Sequence, residues 1–242
     1  KHRFEGTAKG FVVTKEIYDK GTDTHGYIGY LPSDNSIYFR SVVPKPSNWI
    51  TNFDATQATY NKWSTCNCKV HNGFQKAVEA VYSSILSEVK SLKKAHSGYK
   101  VKVTGHSLGG ALAQLTAMAL QKDGIAPAQM INFGQPRVGD DTYAAFSKSK
   151  LSNQFRVTHN KDSVPHLPTT VYPPYHHVAI EQYENSNGSV KRAIRVVRTL
   201  AVPISGNPGS TMLQTTWSTS ASKWTVVSPV LRNSFSEHIS NI

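Results

Sequence analysis

The sequence is poor in cysteine. Its 242 residues include two, Cys66 and Cys68, which are separated by a single residue. This spacing excludes a disulfide between distant parts of the chain and the four-ligand pattern of a structural zinc site. The pair is either a tight local disulfide or two free thiols, and a bridge across one residue must fit a narrow range of Cα separations.

Long apolar runs and acidic residues are also scarce. No apolar run approaches the roughly 18 residues of a membrane-spanning helix, so we expect a soluble protein. The chain has 15 acidic and 27 basic residues, which gives a formal net charge of +12. The basic residues are scattered along the chain, which argues against nucleic acid as a partner. Attraction to an anionic lipid surface or an ordinary solvated exterior fits this pattern better.

The pattern of apolar residues predicts alternating strands and helices after an initial hairpin. Such alternation is typical of an α/β protein with a mostly parallel central sheet flanked by helices. We expect one domain over residues 1–242, with a tail at about 190–242 that the pattern leaves poorly assigned. The predicted elements are a hairpin over 26–39, helices over 74–95, 108–121 and 140–147, and strands over 99–104, 128–133, 154–158 and 193–197.

The motif with the clearest chemistry is Gly105-His106-Ser107-Leu108-Gly109, which matches G-x-S-x-G. By chance alone the pattern would occur in roughly one chain in ten of this length. Here it lies between a predicted strand and a predicted helix, as a nucleophile elbow requires. Ser107 is therefore the predicted nucleophile, and the Leu108 N–H is a candidate donor to the oxyanion.

A serine hydroxyl needs a histidine base, and the histidine needs an orienting carboxylate. In this type of fold the three residues follow in the order Ser, Asp or Glu, His. Asp162 comes soon after the strand over 154–158, and His176 and His177 follow on a proline-rich loop. The sequence thus predicts a triad of Ser107, Asp162 and one of these two histidines, with no metal or organic cofactor.

Several stretches together resemble the fungal class 3 lipases, which are secreted α/β-hydrolases acting on triacylglycerols and related esters. The resemblance implies that His177 is the base, since Tyr175 precedes it by two residues and Glu181 follows it by four. The resemblance covers residues 26–184 approximately. The matching stretches are Val70-His71-Asn72-Gly73-Phe74, residues 104–113, residues 133–139, Asp162-Ser163-Val164-Pro165, Leu167-Pro168, and His177 with Glu181.

The same resemblance implies a lid over about 44–63, with Trp49, Ile50 and Phe53 as its apolar face. Such a lid hides an apolar patch in water and exposes it at a lipid surface. The alternative is an ordinary surface turn with a buried tryptophan.

Three features depart from the family pattern. The family usually has Phe-Arg-Gly followed by Ser or Thr, which supplies the second oxyanion donor, whereas this chain has Phe39-Arg40-Ser41-Val42, so either Ser41 or Val42 is the donor. Two residues usually separate the cysteines, which puts the disulfide in doubt. The tail after Glu184 matches nothing recognisable in the family.

These observations predict a secreted, monomeric triacylglycerol lipase that acts on lipid esters, with a lipid–water interface as a possible partner. A feruloyl or short-chain carboxylesterase is the nearest alternative, because such enzymes share the fold and the triad. An inactive, lipid-binding homologue is a second alternative, given the altered oxyanion segment. Asn187-Gly188-Ser189 is a glycosylation sequon, which has meaning only in a secreted chain.

Overall fold

The computed structural model describes residues 8–42, 54–187, 189–193, 195–203 and 211–219, with the backbone alone from residue 191 onward. Eight strands in this part form one sheet in the order β1-β2-β3-β6-β7-β8-β9-β10. Its strands are β1 (Val12–Asp19), β2 (Thr24–Leu31), β3 (Ser36–Val42), β6 (Lys100–His106), β7 (Gln129–Phe133), β8 (Gln154–His159), β9 (Ile180–Glu184) and β10 (Val190–Ala193).

The centre of the sheet is parallel and its two edges are antiparallel. Strands β3, β6, β7, β8 and β9 run in the same direction. The hairpin strands β1 and β2 add to one edge and β10 adds to the other. The carboxyl ends of β6 and β8 therefore lie at the same end of the strands. We call this end of the sheet the carboxyl edge.

The described part of the chain has three α-helices, namely α1 (Asn72–Ala95), α2 (Leu108–Lys122) and α3 (Asp141–Lys150). Helices α1 and α2 pack against the sheet, and α3 packs against α2. Helix α1 has one apolar stripe because its buried apolar residues recur every three or four positions. Helix α2 is apolar nearly all round and buried from Gly109 to Leu120. The predicted α/β architecture, a mostly parallel sheet flanked by helices, is confirmed.

The segment after Asp54 corrects the far end of the predicted lid. Strand β4 (Gln57–Thr59) pairs with β5 (Lys69–His71), and a short 3-10 helix spans Asn61–Cys66. Tyr60 is buried, and the Trp63 indole donates to the Met118 carbonyl of α2 at 3.0 Å. Tyr60 is part of the core and Trp63 packs against it, although the surrounding sequence is polar. Residues 57–63 are therefore not lid.

Cys66 and Cys68 form a disulfide with a Cα separation of 5.2 Å. The bridge closes the turn between the 3-10 helix and β5, and the Cys68 N–H also donates to Cys66 Sγ. The alternative of two free thiols is therefore wrong.

The tail contains more strand than its sequence pattern indicated. The predicted strand over 193–197 corresponds to the end of β10 and the start of β11 (Arg195–Pro203), which pairs with β12 (Thr211–Thr219) as an antiparallel hairpin. Among the described residues, no helix has the length and apolar character needed to cross a bilayer.

Helix α1 begins with an unusual cap, and this cap predicts a pH dependence of stability. The His71 Nδ1 accepts from the Phe74 N–H at 3.3 Å, and burial lowers the pKa of His71 from 6.5 to about 4. Below pH 6.5 the unfolded chain takes up a proton at this residue that the folded chain does not. The stability is therefore complete above pH 6.5 and is lost as the pH falls toward 4, by about 3 kcal/mol in all.

A His71→Asn variant tests this prediction, because asparagine caps a helix without titrating. We expect the free energy of unfolding of the parent to fall more steeply than that of the variant as the pH is lowered from 6.5 to 4. Urea unfolding at a series of pH values measures the difference. Parallel curves for the two proteins would show that His71 does not carry the effect.

Candidate active site

Ser107 occupies a sharp turn between β6 and α2 at the carboxyl edge. Its φ of 55° and ψ of −130° are strained for a residue with a side chain. The turn is held by the Ser107 N–H, which donates to the Phe133 carbonyl, and by the Gly110 N–H, which donates to the Ser107 carbonyl, each at 2.9 Å. This strand, turn and helix form the predicted nucleophile elbow.

Two glycines allow the backbone to pass closely through the elbow. A Cβ atom on Gly105 would lie 2.2 Å from the Gly109 carbonyl oxygen, and one on Gly109 would lie 2.6 Å from the Ser41 carbonyl oxygen. Neither contact is sterically possible, so the first turn of α2 packs directly on β6 and β3 only because both residues lack a side chain.

Asp162 lies beside this elbow, in the turn that follows β8. Its Oδ2 is 2.7 Å from the position that a Cβ of Gly134 would occupy, and the His106 Nε2 is 3.6 Å from the same point. Its Oδ1 accepts from the Val164 N–H at 2.9 Å, and its own N–H donates to the His159 carbonyl. The carboxylate is therefore fixed at the end of the strand beyond β7, near the residue that precedes Ser107.

The electrostatics around His106 agree with this position of Asp162. Burial lowers the pKa of His106, the negative charge of Asp162 partly opposes this, and Arg40 lowers the pKa further. His106 is thus a half-buried side chain that senses the charge of the acid.

The turn that carries Asp162 is anchored to the neighbouring strand. The Asn160 N–H donates to the Glu184 carbonyl at 3.1 Å, and the His159 Nδ1 lies 3.2 Å from a carboxylate oxygen of Glu184. Because these contacts join the turn to the end of β9, the acid does not depend on a free loop for its position.

His177 lies near the same turn but contacts a different atom from the one predicted. Its Nε2 is 2.7 Å from the Pro165 carbonyl oxygen. Within the described part of the chain, neither the Ser107 hydroxyl nor the Asp162 carboxylate is hydrogen-bonded to His177. The structure thus places Asp162 close to the elbow and His177 close to the turn of Asp162, while the role of His177 as base stays a prediction.

The two candidate oxyanion donors of β3 lie against α2. Ser41 pairs in register with Gly105, and its side chain is buried. The point where a Gly109 side chain would begin is 2.9 Å from the Ser41 carbonyl carbon and 3.4 Å from the Val42 nitrogen. Ser41 therefore presents a carbonyl group to the elbow, and the next N–H along the chain is that of Val42.

The predicted lid residues Trp49, Ile50 and Phe53 lie outside the described residues.

Sequence reasoning missed the residues that support the site. Asn132 is buried and donates both to the Gly110 carbonyl of α2 and to Gln135, each at 2.8 Å. Arg137 is also buried and donates to the carbonyls of His166 and Pro168, which holds the loop after Asp162. All three belong to the stretch 132–137 next to a predicted strand end. Three polar residues within six positions, at the end of a predicted strand, were the signal that could have identified these supporting residues.

A strained serine between a parallel strand and a helix, with an acid at the end of the next strand but one, defines an α/β-hydrolase. The family model of the class 3 lipases matches residues 36–172. A secreted mono- and diacylglycerol lipase from Fusarium solani is 40% identical over 167 residues, which are 67% of this chain and 49% of the relative. One from Penicillium cyclopium is 32% identical over 211 residues, 85% of this chain and 68% of the relative.

Solved structures give the same result. A Rhizomucor miehei lipase in complex with its propeptide superposes with a TM-score of 0.70 and 28% identity, over 76% of this chain and 60% of that one. A triacylglycerol lipase described as having a serine protease triad superposes with a TM-score of 0.70 and 29% identity, over 76% of this chain and 71% of that one. The chain belongs to the class 3 lipase family. It spans about half the length of the Fusarium relative.

Proposed function

We propose that this chain is a secreted, serine-dependent carboxylic ester hydrolase that acts on lipid esters, and that it is a triacylglycerol lipase. The observation that carries the proposal is the strained backbone of Ser107 at the start of α2, with Asp162 fixed beside the elbow. The Fusarium and Penicillium relatives are named as secreted lipases of mono- and diacylglycerols, which supports a lipid ester as substrate.

The proposed reaction begins when a histidine takes the proton of Ser107 and the serine oxygen attacks the ester carbonyl. The carbonyl oxygen becomes an oxyanion, which the Leu108 N–H at the start of α2 stabilises. The histidine then gives its proton to the departing alcohol, and water hydrolyses the acyl-enzyme by the same steps. Asp162 holds the tautomer of the histidine and stabilises its charged form.

We assign the second oxyanion donor to the Val42 N–H. Among the three atoms nearest to the point where a Gly109 side chain would begin, the Val42 nitrogen is the only nitrogen, at 3.4 Å. The Ser41 hydroxyl is buried and has no hydrogen-bond partner in the described part of the chain. A Ser41→Ala variant keeps both N–H groups and removes only the hydroxyl, so it tests whether that hydroxyl contributes. We expect its turnover to stay within about tenfold of the parent.

The base is a histidine that follows Asp162, and His177 is the one we propose. For this role its ring has to leave the Pro165 carbonyl and turn toward Ser107. We expect His177→Gln to lower turnover by about three orders of magnitude or more, because an uncharged amide cannot accept the serine proton. Turnover of a soluble nitrophenyl ester measures this effect.

The other histidines after Asp162 are the matched controls, namely His166, His176 and His238. Replacement of each by glutamine should leave turnover within about tenfold of the parent. Normal turnover in His177→Gln together with a large loss in His238→Gln would move the role of base to His238. It would leave the assignment of Ser107 intact.

The substrate class is tested with nitrophenyl esters of increasing acyl length and with emulsified triacylglycerol. A lipase should prefer long acyl chains and should gain activity when the substrate passes its solubility limit, because an apolar surface then becomes available. Preference for acetate and butyrate, with no gain at the solubility limit, would instead identify a short-chain esterase.

A further inference from the structure

We propose that Asn187 is an N-glycosylation site, so that the secreted protein carries a glycan on the carboxyl edge. Asn187-Gly188-Ser189 is the only sequon in the 242 residues of the chain. The catalytic proposal makes no use of this motif. The inference rests on the secreted location in the proposed function, but not on the proposed ester chemistry.

Asn187 lies in the turn that joins β9 to β10, where a large modification can be accommodated. Its side chain is exposed. The turn is closed by the Asn185 N–H, which donates to the Ser189 carbonyl at 2.9 Å, and by the Asn185 side-chain amide, which donates to the Ser189 hydroxyl at 2.8 Å. The turn therefore keeps its shape without any contribution from the Asn187 amide nitrogen.

The side chain of Asn187 already has the orientation that leaves this nitrogen available. Its Oδ1 accepts from the Ser189 N–H at 3.0 Å. No hydrogen bond engages its Nδ2 within the described residues, so a sugar attached there would displace no contact of the fold. The Ser189 hydroxyl accepts from Asn185, and its own proton stays free to donate.

The modification joins Asn187 Nδ2 to the anomeric carbon of an oligosaccharide supplied as a polyprenyl diphosphate ester. The new C–N bond forms as the bond from that carbon to the diphosphate oxygen breaks. The polyprenyl diphosphate leaves with the electron pair, and the amide nitrogen loses one proton. The donor and the transferase belong to the secretory pathway of the cell that makes the protein.

The glycan would stand next to the turn that carries Asp162. Glu184, the last residue of β9, holds that turn through Asn160 and His159, and Asn187 follows Glu184 by three residues. The sugar would thus lie on the same edge of the sheet as the proposed catalytic residues, attached to the strand that anchors the acid.

Expression of the chain behind a secretion leader in an N-glycosylating yeast tests the proposal. Intact mass is measured before and after treatment with peptide-N-glycosidase F, which removes the glycan and leaves Asp at the modified position. We expect the enzyme to collapse a heterogeneous mass to a single one and to convert Asn187 to Asp in the corresponding peptide.

Asn187→Gln and Ser189→Ala should each abolish the modification, whereas Asn185→Gln, in the same turn, should keep it. Ser189→Ala retains the asparagine, so it remains informative if Asn187→Gln is not secreted. Secretion of the parent with unmodified Asn187 would overturn the proposal. Because the readout is a mass, this failure is distinct from a loss of ester hydrolysis.

Discussion

Replacement of Ser107 by alanine is expected to lower ester turnover by about four to six orders of magnitude. The hydroxyl is the atom that forms the acyl-enzyme, and the oxyanion donors alone cannot replace it. Alanine keeps the Cβ of serine, so the strained backbone at φ 55° is not made worse. Turnover of a soluble nitrophenyl ester, with circular dichroism as a check on folding, measures the effect.

The matched control for this substitution is Ser64→Ala. Ser64 is exposed in the 3-10 helix before Cys66, and its backbone carbonyl rather than its side chain accepts a hydrogen bond. This variant should retain the turnover of the parent. A folded Ser107→Ala protein with activity within tenfold of the parent would remove Ser107 from the role of nucleophile.

The second large effect is expected for Asp162→Asn, which should lower turnover by about three to four orders of magnitude. The amide cannot stabilise the charged histidine and favours the wrong tautomer. The Asn Oδ1 can still accept from the Val164 N–H, so the turn after β8 is retained. The melting temperature should therefore change little while the turnover falls.

The control for Asp162 is the alanine variant, which removes the charge and the hydrogen bond to Val164 together. It should lose turnover to a similar extent as the asparagine variant and should also lose stability. Turnover equal to that of the parent in both variants would show that Asp162 only stabilises the turn and has no part in the reaction.

The fold could be predicted to a large extent because its strong signals are local. The apolar stripe of α1 and the order of strand, turn and helix around Ser107 are set by neighbours in sequence. These signals predicted the central strands of the sheet and its helices. Strand β1 was missed, since its residues alternate between exposed and half-buried positions and only Ile17 is buried. The packing of Tyr60 and Trp63 could not be predicted, because it depends on α2 and α3, which are distant in sequence.

The site could be predicted only in part. The elbow is a local motif, so Ser107 and Leu108 were placed correctly at the turn and at the start of α2. The choice between Ser41 and Val42 depends on how β3 approaches Gly109, which is a contact between strands and a helix. The partner of His177 is set by loop geometry that spacing does not determine. This is why the sequence indicated the order of the proposed catalytic residues but not their contacts.

The central claim is that Ser107 is an activated nucleophile, and reaction with a fluorophosphonate probe tests it most directly. Peptide mass spectrometry of the folded parent should find a single adduct on Ser107, and the adduct should be lost when the protein is first unfolded in urea. No adduct on Ser107 in the folded protein, or an adduct on another residue only, would contradict the account.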